Sequence, residues 1–323
     1  GLYTPYGQID VELATADARF SQESGLIATP TPGKPIQIVA DDFDFKGGDG
    51  SVRGTGELTL NAYTSGLNYL MGTMAEHELG NDWTDMQADF PSYDSYDAFQ
   101  PWVLNGDKLF PGTVHLSTRD LAALRDGFAL IKMGQEGAAE MIFGDVMDAE
   151  VIKKNGIARD RDSSFRDDAI LQATEMYVAG DVESSETLTL IAERLQVDSL
   201  NVHAQQGAWD SGLDAYDLDL QITDRIILDG WLKTDNNINV NFVTAGEALI
   251  DSGRNNNFLQ GTSGLIETRG RNAVVNINAQ SSILLSGQTL VGGDNAQITF
   301  DAGTFFELTQ IAGTIQSPDD NVT

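Results

Sequence analysis

The sequence predicts an all-β chain whose short strands repeat as the rungs of a solenoid, and three observations carry that prediction. Apolar and polar residues alternate over short runs. Turn-forming Asp outnumbers helix-favouring Glu by 34 to 15, the balance of a chain rich in turns and strands. Similar segments also recur about every 23 to 26 residues toward the C-terminus.

The alternating runs come first along the chain. Ile36-Gln37-Ile38, Phe43-Asp44-Phe45, Leu58-Thr59-Leu60, Leu188-Thr189-Leu190, Leu218 to Ile222, Ile238 to Phe242, Val275-Asn276-Ile277 and Ile298-Thr299-Phe300 all place apolar side chains at every second position. Side chains of a strand alternate between its faces, so each run predicts a strand with one buried face. Gly, Asn, Asp and Ser separate them.

The register comes from glycines. Gly264, Gly287 and Gly313 each open a similar path and lie 23 and 26 residues apart (287 minus 264, 313 minus 287). From Gly264 the path runs through Val275 to Ala279 and then Ile283 to Leu285; from Gly287 it runs through Gln297 to Ala302 and then Phe305 to Leu308. A looser echo relates Met176-Tyr177-Val178 to Leu195-Gln196-Val197. One turn of a strand solenoid has this length, and its apolar row stacks on the next. Stacked Asn side chains suit such an array, so Asn255 to Asn257 reads as a turn stack. An antiparallel sandwich is the rival architecture, but Asn-Gly and Asp-Gly hairpin signals lie outside the best strands.

One short helix is expected near Ser117. Ser117 is a good N-cap, Asp120 completes a near capping box, and Leu121, Leu124 and Phe128 follow on one face for two to three turns.

Composition excludes several classes of function. The net charge of -30, from 49 acidic and 19 basic residues, argues against nucleic acid and acidic membrane surfaces, which need clustered Lys and Arg. No apolar run approaches the roughly 18 residues of a membrane span, so membrane insertion is not expected. No basic-then-apolar leader opens the chain, which starts at Gly1 and reads as processed or excerpted. Cysteine is absent, removing disulfides and thiolate sites. Self-repulsion of this size is better tolerated where salt or divalent cations screen it, which points to a saline or calcium-containing exterior.

Three stretches carry a resemblance to a known family. Ile36 to Phe45, Gly50-Ser-Val-Arg-Gly-Thr-Gly-Glu-Leu-Thr-Leu60, and Leu116-Ser-Thr-Arg-Asp-Leu-Ala-Ala-Leu-Arg-Asp-Gly-Phe-Ala-Leu-Ile-Lys-Met-Gly134 resemble repeat modules of giant bacterial surface proteins of the filamentous-haemagglutinin-like or adhesin-like kind. The resemblance covers residues 36 to 60 and 116 to 200 best. It implies a right-handed parallel β-helix exported to the cell surface, and it brings no catalytic residues with it. The chain departs from the family in a stretch from about 71 to 111, where Trp83, Phe90, Tyr93, Tyr96, Phe99, Trp102 and Phe110 are gathered in a polar, acidic context.

The candidate sites follow from these features. Tyr and Trp give broad contact with a polar handle, so Trp83, Tyr93, Tyr96 and Trp102 are the candidate partner or glycan contacts, with packing of a long loop as the alternative. Calcium is the one cofactor to consider. The stretch Asp42 to Gly47 opens like an EF-hand but places Lys46 and Arg53 at ligand positions, and Gly47 to Gly50 is an imperfect nonapeptide repeat. The better candidates are the turn clusters Asp214, Asp217 and Asp219, or Asp82, Asp85 and Asp89. His77, His115 and His203 lack metal-motif spacing, and Lys153 to Asp168 reads as a solvated protrusion. No nucleophile elbow, phosphate loop or dinucleotide motif is present.

The expected molecule is one elongated solenoid over residues 1–323 with the 71–111 insert. It is expected to be a non-enzymatic structural or adhesive segment of an extracellular or cell-surface fibre. Its partners would be other copies or neighbouring modules, a surface glycan, or another cell. The alternative is a carbohydrate lyase, hydrolase or epimerase using Asp217, Asp219, Asp224, Arg225 and Asp229 on one sheet face.

Overall fold

The computed structural model of the chain describes residues 1–73, 113–143, 163–178, 180–197, 212–242, 256–279, 282–292, 295–302, 308–310 and 312–316. Their regular structure is nearly all strand, and every strand pairing among them is parallel.

The pairing skips along the chain. Strands β1 (Leu2–Tyr3), β2 (Ile9–Glu12) and β3 (Arg19–Gln22) are matched by β4 (Ile27–Ala28), β5 (Ile36–Val39) and β6 (Asp42–Phe45), each pairing with the strand three places earlier. Strands β7 (Val52–Arg53) and β8 (Glu57–Asn61) continue on β4 and β5. Three ladders therefore grow side by side.

The middle of the chain makes the arrangement plain. Strands β13 (Ser163–Phe165), β14 (Ala169–Gln172) and β15 (Glu175–Val178) pair with successive segments of one 17-residue strand, β16 (Asp181–Val197). The 17-residue β17 (Gly212–Leu228) follows β16 through all three ladders, with register shifts between Ser184 and Thr187 and between Ala192 and Arg194. Those shifts are the corners. Strands β18 (Trp231–Thr234), β19 (Ile238–Phe242) and β20 (Asn256–Gln260) then pair with β17. Strands β21 (Leu265–Thr268), β22 (Val274–Asn278) and β23 (Ser282–Leu285) stack on those three, and β24 (Gln288–Val291), β25 (Gln297–Asp301) and β26 (Leu308–Gln310) stack next. Strand β27 (Thr314–Gln316) lies on β24.

The alternating sequence explains the interior. Leu188, Leu190, Leu195 and Val197 are buried and align with buried Leu218, Leu220, Ile226 and Leu228. The row continues through Ile238, Val240 and Phe258 to Val275, Ile277 and Ile283. Each such side chain contributes roughly 1.5–3 kcal/mol on burial. All eight alternating runs read from the sequence are strands, and the Met176 echo aligns residue for residue with Leu195.

Two corner columns hold the register. Leu265 N–H donates to the Gly230 carbonyl (2.9 Å), and Gln288 N–H donates to the Gly264 carbonyl (2.9 Å). A Cβ at Gly287 would run into the Gly264 carbonyl oxygen, and one at Gly313 into that of Gly287. The glycine spacing is thus a requirement for close backbone approach. At the corner before the second ladder, Thr187 N–H donates to Asp168 Oδ1 (3.0 Å), Asn237 N–H to Asp217 Oδ1 (2.9 Å), and Val274 N–H to Asn237 Oδ1 (3.1 Å). Asn272 and Asn295, both with positive φ, are joined by a side-chain hydrogen bond of 3.2 Å. Asn255, the first residue of the expected Asn stack, lies outside the described residues, while Asn256 and Asn257 are in β20.

The N-terminal half breaks the simple order. Strand β9 (Asn68–Thr73) pairs with β12 (Glu140–Phe143) on one side and with β10 (Thr113–Ser117) on the other, while β11 (Leu130–Gly134) joins β8 to β14. Strand β10 returns beside β6, and helix α1 (Thr118–Ala122) follows it. Ser117 caps α1, with both capping-box hydrogen bonds formed as expected. The helix is a single turn rather than two or three. It stops because Leu124 forms a parallel bridge with Val52, and Gly127 takes a positive φ of 123°. Leu124 and Phe128 are buried all the same.

Candidate functional site

The outer faces of the second and third ladders differ in chemistry. Thr59, Lys132, Ile170, Thr189, Asp219, Asn239, Asn276 and Thr299 align along the second. Along the third run Leu70, Ile142, Tyr177, Gln196, Ile227, Leu259 and Leu284, each partly exposed. The second face is polar; the third is largely apolar.

Beside the apolar row on the third ladder lies a charged one. Glu140, Glu175, Arg194 and Arg225 align in that order. Together the rows line a groove of about 300 Å³ whose floor includes Ile142, Tyr177 and Ile227. Strand alternation produces this arrangement, because Met141, Met176, Leu195 and Ile226 between the two rows point into the core.

The groove's two cations differ. Arg194 donates from Nε to Asp224 Oδ2 (2.8 Å) and from Nη1 to Glu175 Oε1 (2.9 Å). The Asp224 hydrogen bond leads in holding its guanidinium above the ordinary range, against the opposing effect of burial. Arg225 makes no ion pair among the described residues, and its Nε is buried without a hydrogen-bond partner.

The expected calcium ligands all lie in β17. Asp214, on the first ladder, accepts from Arg269 Nη2 (2.9 Å); Asp217, at the corner, accepts from Asn236 Nδ2 (2.9 Å) and Asn237 N; Asp219, on the second ladder, accepts from Gln221 Nε2 (2.9 Å). Each already has a protein partner. No group of three or more His, Cys, Asp or Glu residues is gathered to hold a metal among the described residues. Of the set Asp217, Asp219, Asp224, Arg225 and Asp229, the groove takes in Arg225 and, through Arg194, Asp224. Trp83, Tyr93, Tyr96 and Trp102 lie outside the described residues, as do His77, His203, Asp82, Asp85 and Asp89.

A second polar cluster is buried where β10 meets β6. Asp42 accepts from Arg19 Nε (2.7 Å) and from the His115 backbone N–H (3.3 Å). Asp120 accepts from the N–H groups of Phe45 (2.6 Å) and Ser117 (2.8 Å). Burial pushes the Asp120 carboxyl up despite these bonds. Burial, helped by Arg19, pushes His115 down to about 3. Asp41 shows the opposite balance to Asp120: burial raises it, but donation from Thr64 and Asp17 outweighs this and leaves its carboxyl below the ordinary range. At the end of the expected solvated protrusion, alternate residues are inside: Ser163, Phe165 and Asp167 are buried while Ser164, Arg166 and Asp168 are exposed. Ser163 to Phe165 form β13, and Asp167 is buried, accepting from the N–H groups of Gly127 (2.9 Å) and Phe128 (3.0 Å).

Comparison with protein-family models, curated proteins and solved structures yields no match. Glu140, Glu175, Arg194 and Tyr177 were not expected as site residues from the sequence. A signal for three of them existed: the echo that aligns Met176 with Leu195 also aligns Glu175 with Arg194 and Tyr177 with Gln196.

Proposed function

We propose that the three ladders wind as a right-handed solenoid and that the chain serves as a non-enzymatic structural or adhesive segment of a bacterial cell-surface or extracellular fibre. One observation carries the reading: parallel pairing returns to the second ladder again and again, unbroken from β2 through β5, β8, β11, β14, β16, β17, β19 and β22 to β25. Parallel strands joined by crossovers wind right-handedly in nearly all known cases. A stack of this kind is stiff along its axis and couples each round chiefly to its neighbours. Repetition along a fibre then provides binding strength through multivalency.

The partners in this reading are other copies or neighbouring modules, with a surface glycan or another cell as the target. Calcium is proposed as a screening or joining ion for a chain of net charge -30. Electron microscopy of the purified chain in calcium and then in chelator tests the reading. Rods or filaments are expected, with loss in chelator if calcium joins them; compact particles in both conditions would overturn it.

A further inference from the structure

We propose that the groove on the outer face of the third ladder binds a short saccharide carrying a carboxylate, with Arg225 as the carboxylate's partner. The inference rests on the surface-module reading only for where such a glycan would be met.

The charged row sets the polarity of the ligand. Glu140, Glu175, Arg194 and Arg225 follow one another on adjacent strands, so the first and last are three strand spacings apart, roughly 14 Å. One end of the groove is acidic and the other basic. At the basic end Arg194 is already held by Glu175 and Asp224. Arg225 has no ion pair among the described residues, and its Nε is buried and unbonded. That nitrogen is closed to a ligand, but Arg225 also lines the groove, and a planar guanidinium with no acid beside it is best satisfied by a carboxylate.

The floor selects the class of ligand. Ile142, Tyr177 and Ile227 offer apolar surface, and the strand backbone beneath them is committed to the parallel ladder. An extended peptide laid here would leave its own N–H and C=O groups facing apolar side chains, a cost that protein structures avoid. A sugar ring avoids it. Its C–H face covers Tyr177 and the isoleucines, while hydroxyl groups reach Glu140 and Gln196 at the rim. The volume of about 300 Å³ is at the small end for ligand sites, which fits one or two rings rather than a long polymer. The overall negative charge does not forbid this, because exposed charges beyond about 8 Å are screened at physiological salt.

The test is calorimetric titration of the full chain at physiological ionic strength with a uronate disaccharide, a neutral glucose disaccharide and a glutamate dipeptide. Heat of binding is expected for the uronate and not for the dipeptide. Arg225→Gln is expected to weaken uronate binding roughly ten- to hundredfold, the scale of one charge-assisted hydrogen bond. Arg225→Lys should retain part of the affinity, and Tyr177→Ala should lose several-fold while both melt near the parent temperature. Uronate binding unchanged in Arg225→Gln, dipeptide binding equal to uronate, or no uronate binding by the parent chain would each overturn the proposal. None of these outcomes bears on rod formation, which microscopy decides separately.

Discussion

Residues 163–316 and residues 1–143 are built on the same ladders but held by different means. In the later region each round repeats the last: inward Leu, Ile and Val stack on their equivalents, glycines stack at one corner, and Asp or Asn side chains tie successive rounds at another. In the earlier region β10 and α1 intrude out of order, and buried ionisable groups fasten them. Asp120 ties β10 and α1 to β6, Asp42 joins Arg19 to the β10 backbone, and Asp167 reaches back to Gly127 and Phe128. Regular stacking needs only repeated apolar side chains; an interruption needs specific acceptors for the backbone groups it strands.

The largest expected effect is in the regular region. Leu220→Ala should cost about 3–5 kcal/mol, because Leu220 is fully buried between Leu190 and Val240 and its neighbours are held by their own ladders. Hydrogen exchange should show the loss concentrated in β16 to β19. Protection lost equally across residues 1–143 would mean that the two regions unfold as one unit, and the contrast would fail.

Asp120→Ala should cost about 2–4 kcal/mol, since it strands the N–H groups of Phe45 and Ser117. Here the exposure should appear in β6, β10 and α1 while β19 to β24 keep their protection. Chemical denaturation with site-resolved exchange separates the two variants.

A pH-dependent difference of about 2 kcal/mol at pH 5 is expected from His115. Its folded pKa of about 3 lies below the ordinary 6.5, so between those values the unfolded chain binds the extra proton and stability falls as pH falls. Asp120, raised by burial, acts in the opposite sense, its contribution being lost as pH rises through its folded value. Arg19, Asp42 and Asp44 face the same cluster. Comparing the slope of stability against pH in the parent and in His115→Gln isolates the histidine. The substituted chain should lose less stability from pH 7 to pH 5; parallel slopes would show that His115 is not buried neutral.

The smallest effect belongs to the corner. Asn237→Ala removes the acceptor of the Val274 N–H at a partly exposed site and should cost about 1 kcal/mol. Thermal melting detects it, and an effect as large as that of Leu220→Ala would show that corners rather than the core hold the stack.

Much of the regular region was legible in the sequence because its physics is periodic. Alternation around Leu218 and Val275, the glycine spacing, and the echo between Met176 and Leu195 all give the correct strands and, for the echo, the correct pairing. The intrusion was not. Ser117 and Asp120 announce the start of α1, but nothing local shows that β10 pairs with β9 or that Asp42 and Asp120 turn inward, since the pairing joins Thr113 to the distant Asn68 and the two carboxylates bond N–H groups more than 70 positions away. The groove falls between these cases: its rows follow from the echo, whereas the lack of an ion pair at Arg225 among the described residues depends on which cation Asp224 chooses.

The sequence by itself determined the alternating strands, their buried faces and the returns marked by Gly264, Gly287 and Gly313, because these follow from side-chain alternation and from glycine where two backbones meet. Only the tertiary structure decided where β10 inserts, which carboxylates are buried, and which arginine on the third ladder takes Glu175 and Asp224 as partners. Those outcomes depend on desolvation and on competition among distant acceptors, and neither is a property of any one segment of the chain.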